Sequence, residues 1–130
     1  MIVVDSSAVI AVVQKEEGFE RFVTALDTAE TAIMSQANFL EVAIVLVKRY
    51  GTEGLSRLDR LREALAVELR DVDGRQLGFA IDACARFGRG VGHPARLNYG
   101  DCFAYALARA TGGPLLFKGD DFAHTDVKVA

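Results

Sequence analysis

The stretch Ile2-Val3-Val4-Asp5-Ser6-Ser7-Ala8-Val9-Ile10-Ala11-Val12-Val13 decides the fold. A strand sends alternate side chains to opposite faces, so three β-branched residues in a row suit a strand covered on both sides. Asp5, Ser6 and Ser7 are residue types whose side-chain oxygens cap helix N-termini, and Ala8 to Val13 reads as the helix they open. A buried strand running straight into a helix begins an α/β domain with a mainly parallel sheet. It also leaves a carboxylate, Asp5, at the carboxyl end of a strand, where such sheets bind ligands.

The rest of the chain repeats this alternation. Glu17 to Leu26 is expected to be helical, with Phe19, Phe22, Val23 and Leu26 on one face. Thr31 to Met34 reads as a strand. Ser35 caps a long helix that runs to Tyr50 and stops at Gly51. Leu55 to Ala66 is a further helix and Val67 to Val72 a strand. Asp73 with Gln76 opens a helix to Phe87 in the manner of a capping box. Arg86 to Arg96 is a basic, glycine-rich loop. Asn98 to Ala110 is helical, Leu115 to Phe117 a short strand, Gly119-Asp120-Asp121 a loop, and Val127 to Val129 a last strand.

Composition sets the class. At 130 residues, 51% hydrophobic and 25% charged, the chain has the make-up of one compact soluble domain spanning residues 1–130 and not of a disordered segment. A net charge of −3 speaks against coating nucleic acid by charge alone, though not against a nuclease whose own acids hold a metal. Cys84 and Cys102 lie in apolar helical stretches without metal-ligand spacing, which predicts buried, reduced thiols. The N-terminus lacks a basic leader, and the longest apolar run is too short for a bilayer. A soluble, cytoplasmic protein without membrane contact is expected.

Glu41 is the most informative acid. It lies in Phe39-Leu40-Glu41-Val42-Ala43-Ile44-Val45-Leu46-Val47, a helix apolar nearly all round, with no basic residue three or four positions away. Such a carboxylate lies on a narrow solvent stripe, pairs with a distant arginine, or serves a site. Asp101 has a structural explanation as the N3 partner of an Asn98 cap, Asp5 as an N-cap, and Asp120 and Asp121 as turn residues. Taken together, these acids flank buried strand and helix ends. Converging carboxylates repel strongly without a cation. Their hard oxygens suit Mg²⁺ or Mn²⁺, which can activate water, orient a phosphodiester and stabilise the leaving oxygen.

Four segments then resemble a known family: Ile2-Val3-Val4-Asp5-Ser6-Ser7-Ala8, Glu41 in the third helix, Leu97-Asn98-Tyr99-Gly100-Asp101-Cys102, and Leu115-Leu116-Phe117-Lys118-Gly119-Asp120-Asp121-Phe122 followed by Thr125-Asp126. In order and spacing they are similar to the PIN domain and, within it, to the VapC toxins of type II toxin–antitoxin pairs. The resemblance implies a three-layer α/β/α domain with a mainly parallel central sheet flanked by helices. It implies a homodimeric endoribonuclease that hydrolyses tRNA or rRNA with Mg²⁺ or Mn²⁺. It further implies a VapB-type antitoxin partner, through which alone DNA would be contacted. Carried over by position, Asp5 and Asp101 are the principal metal ligands and Glu41 completes the site. Asp120 is slightly favoured as the fourth acid because it lies nearer the strand end, with Asp121 the alternative. Ser7 either orients Asp5 or serves as a helix-cap hydroxyl.

Arg86, Arg89, His93 and Arg96, with Lys118 beside the site, are the candidate contacts to RNA phosphates, or else a solvated loop that meets an antitoxin. Few aromatics are expected to be free for base stacking. Other phosphoryl-transfer folds fit less well: a second acid two residues after Asp5 would suit a phosphatase of the HAD type, and Ser7 stands there. An inactive PIN-like binding module is the non-enzymatic alternative, which retention of Asp5, Glu41 and Asp101 disfavours.

Overall fold

The computed structural model describes residues 1–130. Four strands, β1 (Ile2–Val4), β2 (Ala32–Ser35), β3 (Glu68–Arg70) and β4 (Leu115–Leu116), form one parallel sheet in the order β3-β2-β1-β4. Parallel neighbours need crossovers, and helices supply them. These are α1 (Ser6–Val13), α2 (Glu20–Thr28), α3 (Gln36–Tyr50), α4 (Glu53–Leu65), α5 (Gly74–Phe87) and α6 (Tyr99–Thr111). At the outer edge, Leu115 bridges in parallel to Val129, and Ala130 N–H donates to the Leu115 carbonyl.

Strand alternation divides the core into two layers. Val3, Ile33 and Leu115 pack with α5 and α6, while Val4, Met34 and Leu116 pack with α1, α2 and α3. The sheet is thus covered on both faces, giving the expected three layers. The chain leaves the central strand β1 towards β2 on one side and finds β4 on the other. The crevice where the order reverses lies at the carboxyl end of β1, and Asp5 follows Val4 there.

Several expectations need correction. The second helix begins at Glu20 rather than Glu17, because Lys15 and Gly18 take positive φ (48° and 77°) and keep the preceding segment in turns. Asp121–His124 forms a short 3₁₀ turn where an open loop was expected. Helix α3 is not buried nearly all round. Asn38, Val42 and Leu46 face the core, whereas Leu40, Ile44 and Val47 are exposed. Cys102 is buried, but Cys84 is on the outer face of α5.

Candidate active site

Each acid is delivered by a different element. Asp5 is the N-cap of α1; its Oδ2 accepts from Ser7 N at 2.9 Å and from Ser7 Oγ at 2.5 Å. Ser7 Oγ also accepts from Lys118 N at 3.0 Å, so one hydroxyl ties the segment after β4 to the Asp5 carboxylate. Ser7 therefore orients Asp5, which is itself the cap. Asp5 is only 2% exposed, and its other oxygen, Oδ1, is buried without a hydrogen-bond partner.

Asp101 sits at N3 of α6 in a complete capping box. Asn98 Oδ1 accepts from Asp101 N at 2.8 Å, and Asp101 Oδ2 accepts from Asn98 N at 2.9 Å. Glu41 leaves α3 towards the first turns of α1 and α6. Its Oε1 accepts from Asn38 Nδ2 at 2.7 Å and Ser6 Oγ at 3.1 Å. No arginine or lysine neutralises it. A Cβ built at Gly100 would fall on the Glu41 carboxylate, so only glycine lets α6 approach this closely.

The electrostatics show that these groups share one region. Burial pushes the Asp5 carboxyl up to about 7; the Ser7 hydrogen bonds oppose this, and the charges of Asp101 and Glu41 add to it. Burial likewise pushes Asp101 up to about 6, opposed by the Asn98 backbone bond and reinforced by Asp121 and Glu41. Arg89 acts on Asp101 in the opposite sense. Asp121 is thus the acid of the 3₁₀ turn whose charge reaches Asp101. Asp120, preferred by sequence position, heads that turn, and both it and Asp121 are exposed.

No three acidic, histidine or cysteine side chains are gathered closely enough to enclose a metal ion. Glu41 is turned to Ser6 and Asn38, and one Asp101 oxygen to Asn98. The donor set still fits a hard divalent cation. It is all carboxylate oxygen, lacks a compensating cation at its centre, and includes the unpartnered buried Oδ1 of Asp5.

The basic residues do not act as one cluster. Arg86 is committed to Asp82 and Asp126 (3.0 and 3.4 Å), and Arg109 and Tyr105 also bind Asp126. His93 Nδ1 accepts from Ala95 N, and its ring meets the Phe87 edge. Lys118 Nζ pairs with Glu16 at 2.7 Å. Arg89, bonded to the Arg96 carbonyl, is the member whose charge acts on Asp101.

Sequence reasoning missed Ser6, Asn38, Gly100 and Tyr99. Tyr99, two residues before Asp101, is 83% exposed and is the only aromatic among the exposed large hydrophobic side chains, in keeping with the expectation that few aromatics are free. The one local signal for Asn38 was a polar residue one helical turn before Glu41.

A parallel β3-β2-β1-β4 sheet with Asp5 at its central switch point, and Glu41 and Asp101 on the helices beside it, defines the class. The chain belongs to the PIN domain family, whose model matches residues 2–128. Within that family its relatives are VapC ribonucleases. It is 42% identical to Ribonuclease VapC42 of Mycobacterium tuberculosis over 129 residues, covering 99% of this chain and 98% of that one. The fold matches the crystal structure of Mycobacterium tuberculosis VapC20, described as a sarcin-ricin loop cleaving toxin, with a TM-score of 0.77 at 17% identity over 100% of this chain and 98% of that one. VapBC2 from Rickettsia felis, bound to a DNA fragment from its promoter, matches with a TM-score of 0.77 at 14% identity, covering 99% and 96%.

Proposed function

We propose that this chain is the toxin of a type II toxin–antitoxin pair, a metal-dependent endoribonuclease held in check by a VapB-type antitoxin. The observation that carries this reading is the meeting of Asp5 and Asp101 in one region: burial raises the proton affinity of both, and the charge of Glu41 adds to each. Kinship with VapC ribonucleases over nearly the whole chain supports RNA as substrate. No helix is long and apolar enough to cross a membrane, in keeping with a cytoplasmic toxin. A homodimer belongs to the same reading. Leu77 and Ile81 on α5, exposed beside Tyr99 and Arg89, offer a protein partner an apolar surface next to the site.

Asp5 and Asp101 would hold Mg²⁺ or Mn²⁺, with Glu41 and either Asp120 or Asp121 completing the set. The cation would supply positive charge to activate water and to stabilise the departing oxygen. The chain's own residues do the positioning. Ser7 fixes the Asp5 rotamer through Oδ2 and leaves Oδ1 available. The capping box fixes Asp101 at the start of α6. Glu41 or the fourth acid, Asp120 or Asp121, would accept a proton or orient water. Exposed Tyr99 is placed for stacking with an unpaired base.

Purified protein is expected to cleave tRNA or rRNA with Mg²⁺ or Mn²⁺, to stop on EDTA addition, and to stay inactive as Asp101→Asn. Cleavage undiminished by EDTA would refute the metal-dependent reading. Among the arginines, Arg89→Ala is expected to weaken RNA binding about fivefold and to reduce the salt slope by about one. Arg86→Ala should leave RNA binding unchanged and instead loosen the Asp126 contact. Filter binding across a salt series with the Asp101→Asn protein separates the two; equal effects would count against assigning Arg89 alone to the RNA.

A further inference from the structure

Asn38 is the only fully buried amide at the site, with 0% exposure. Its Nδ2 carries two protons, and both are used. One goes to Glu41 Oε1 at 2.7 Å and the other to the Gly100 carbonyl at 2.9 Å, across 62 residues of sequence. Reversing the amide would set Oδ1 against two acceptors, so these partners fix its orientation. Oδ1 is then buried without a partner. An apolar residue of similar size would fill the space without that penalty, so a packing role does not explain the amide.

The bonds have a definite geometric result. Asn38 and Ser6 both donate to Oε1, which leaves Oε2 without a protein donor. The carboxylate lies against Cα of Gly100, where any side chain would collide with it. The second Asn38 bond ties α3 to the first turn of α6, which carries Asp101 at N3. Both acids are thereby referred to one rigid amide. A neutral donor suits this task, because a lysine or arginine would neutralise the carboxylate and compete with a cation.

We propose that Asn38 is a positioning residue, which sets the rotamer of Glu41 and its separation from Asp101 so that Glu41 Oε2 is presented to a divalent cation. The inference rests on the metal-site reading above. It is tested by titrating the purified chain with Mn²⁺ alone and following free Mn²⁺ by electron paramagnetic resonance. Asn38→Leu, which keeps the buried volume, and Asn38→Ala are each expected to weaken Mn²⁺ binding about tenfold. Circular dichroism melting provides the folding control for both variants. In a Glu41→Gln background the same Asn38 substitutions should cost nothing further, because Asn38 acts through that carboxylate. Unchanged Mn²⁺ affinity in a folded Asn38 variant, or the same loss in both backgrounds, would overturn the positioning role. Wild-type Mn²⁺ affinity in Glu41→Gln alone would remove Glu41 from the site and with it the role of Asn38, whereas no Mn²⁺ binding by the unsubstituted chain would overturn the metal-site reading itself.

Discussion

Asp5→Asn is expected to remove RNA cleavage while making the metal-free protein more resistant to heat above pH 7. Asparagine caps helices about as well as aspartate, and its oxygen can accept the same Ser7 N–H and O–H bonds that Oδ2 accepts now. The substitution therefore removes charge and leaves the local backbone in place. Burial is the main reason the Asp5 carboxyl lies at about 7 against an ordinary 3.8, with Asp101 and Glu41 adding to it. Holding it ionised in the fold costs on the order of 4 kcal/mol, an upper figure because the surroundings can relax. Removing that cost is expected to raise the melting temperature in EDTA at pH 8 by roughly 5 °C or more.

Activity should move the opposite way. A principal metal ligand that loses its charge no longer anchors the cation, and a fall of about a thousandfold, about 4 kcal/mol, is expected. Rates at saturating Mn²⁺ and melting curves in EDTA check the two halves separately. Cleavage at the wild-type rate would remove Asp5 from the site. A lower melting temperature in EDTA would show that the ionised carboxylate is not a burden on the fold. The opposed signs distinguish a functional acid from a structural cap, whose loss of charge would not trade stability against catalysis.

How much of this was legible in the sequence depends on how far each interaction reaches along the chain. The β1–α1 junction could be read because every determinant is local: β-branched residues 2–4, then Asp5 capping through Ser7. The Asn98–Asp101 capping box is equally local and forms as its spacing implies. Glu41 stood out because a lone carboxylate on an apolar helix needs an explanation. What holds it did not stand out, since Ser6 is 35 residues away and the Asn38–Gly100 contact spans 62.

Other differences have the same origin. Arg86 looked like part of a basic loop, but it is still within α5, where it meets Asp82 one turn back and Asp126 from the chain's end. The segment after the alternative acids Asp120 and Asp121 winds into a short 3₁₀ turn where an open loop was expected. Periodicity could not reveal that turn, which has too few residues to show a period. Helices α3 and α5 each meet the core along only one stripe. The remainder, including Leu40, Ile44, Leu77 and Ile81, faces outward in the isolated chain.

Without metal, stability is expected to fall as pH rises from about 4 to about 7, and Mn²⁺ should restore it chiefly at the upper end. Asp5 and Asp101 have ordinary values of 3.8, and burial raises them in the fold to about 7 and about 6. Between 3.8 and those values the folded chain keeps protons that the unfolded chain has released. Raising the pH through that window therefore favours unfolding, and above about 7 the full penalty is present. Asp126 has the opposite sign. Its burial favours the protonated form, but the bonds from Tyr105 and Arg109 outweigh that and hold it below 3.8, so its contribution fades only as pH falls beneath the window. Melting temperature in EDTA should thus decline across the window. A steady rise would contradict the burial of two unneutralised carboxylates. Protons and the cation compete for the same oxygens, so the stabilisation by a fixed Mn²⁺ concentration should be larger at pH 8 than at pH 5. Asp101→Asn should flatten both the decline and the Mn²⁺ gain, because it removes one of the two groups that create them.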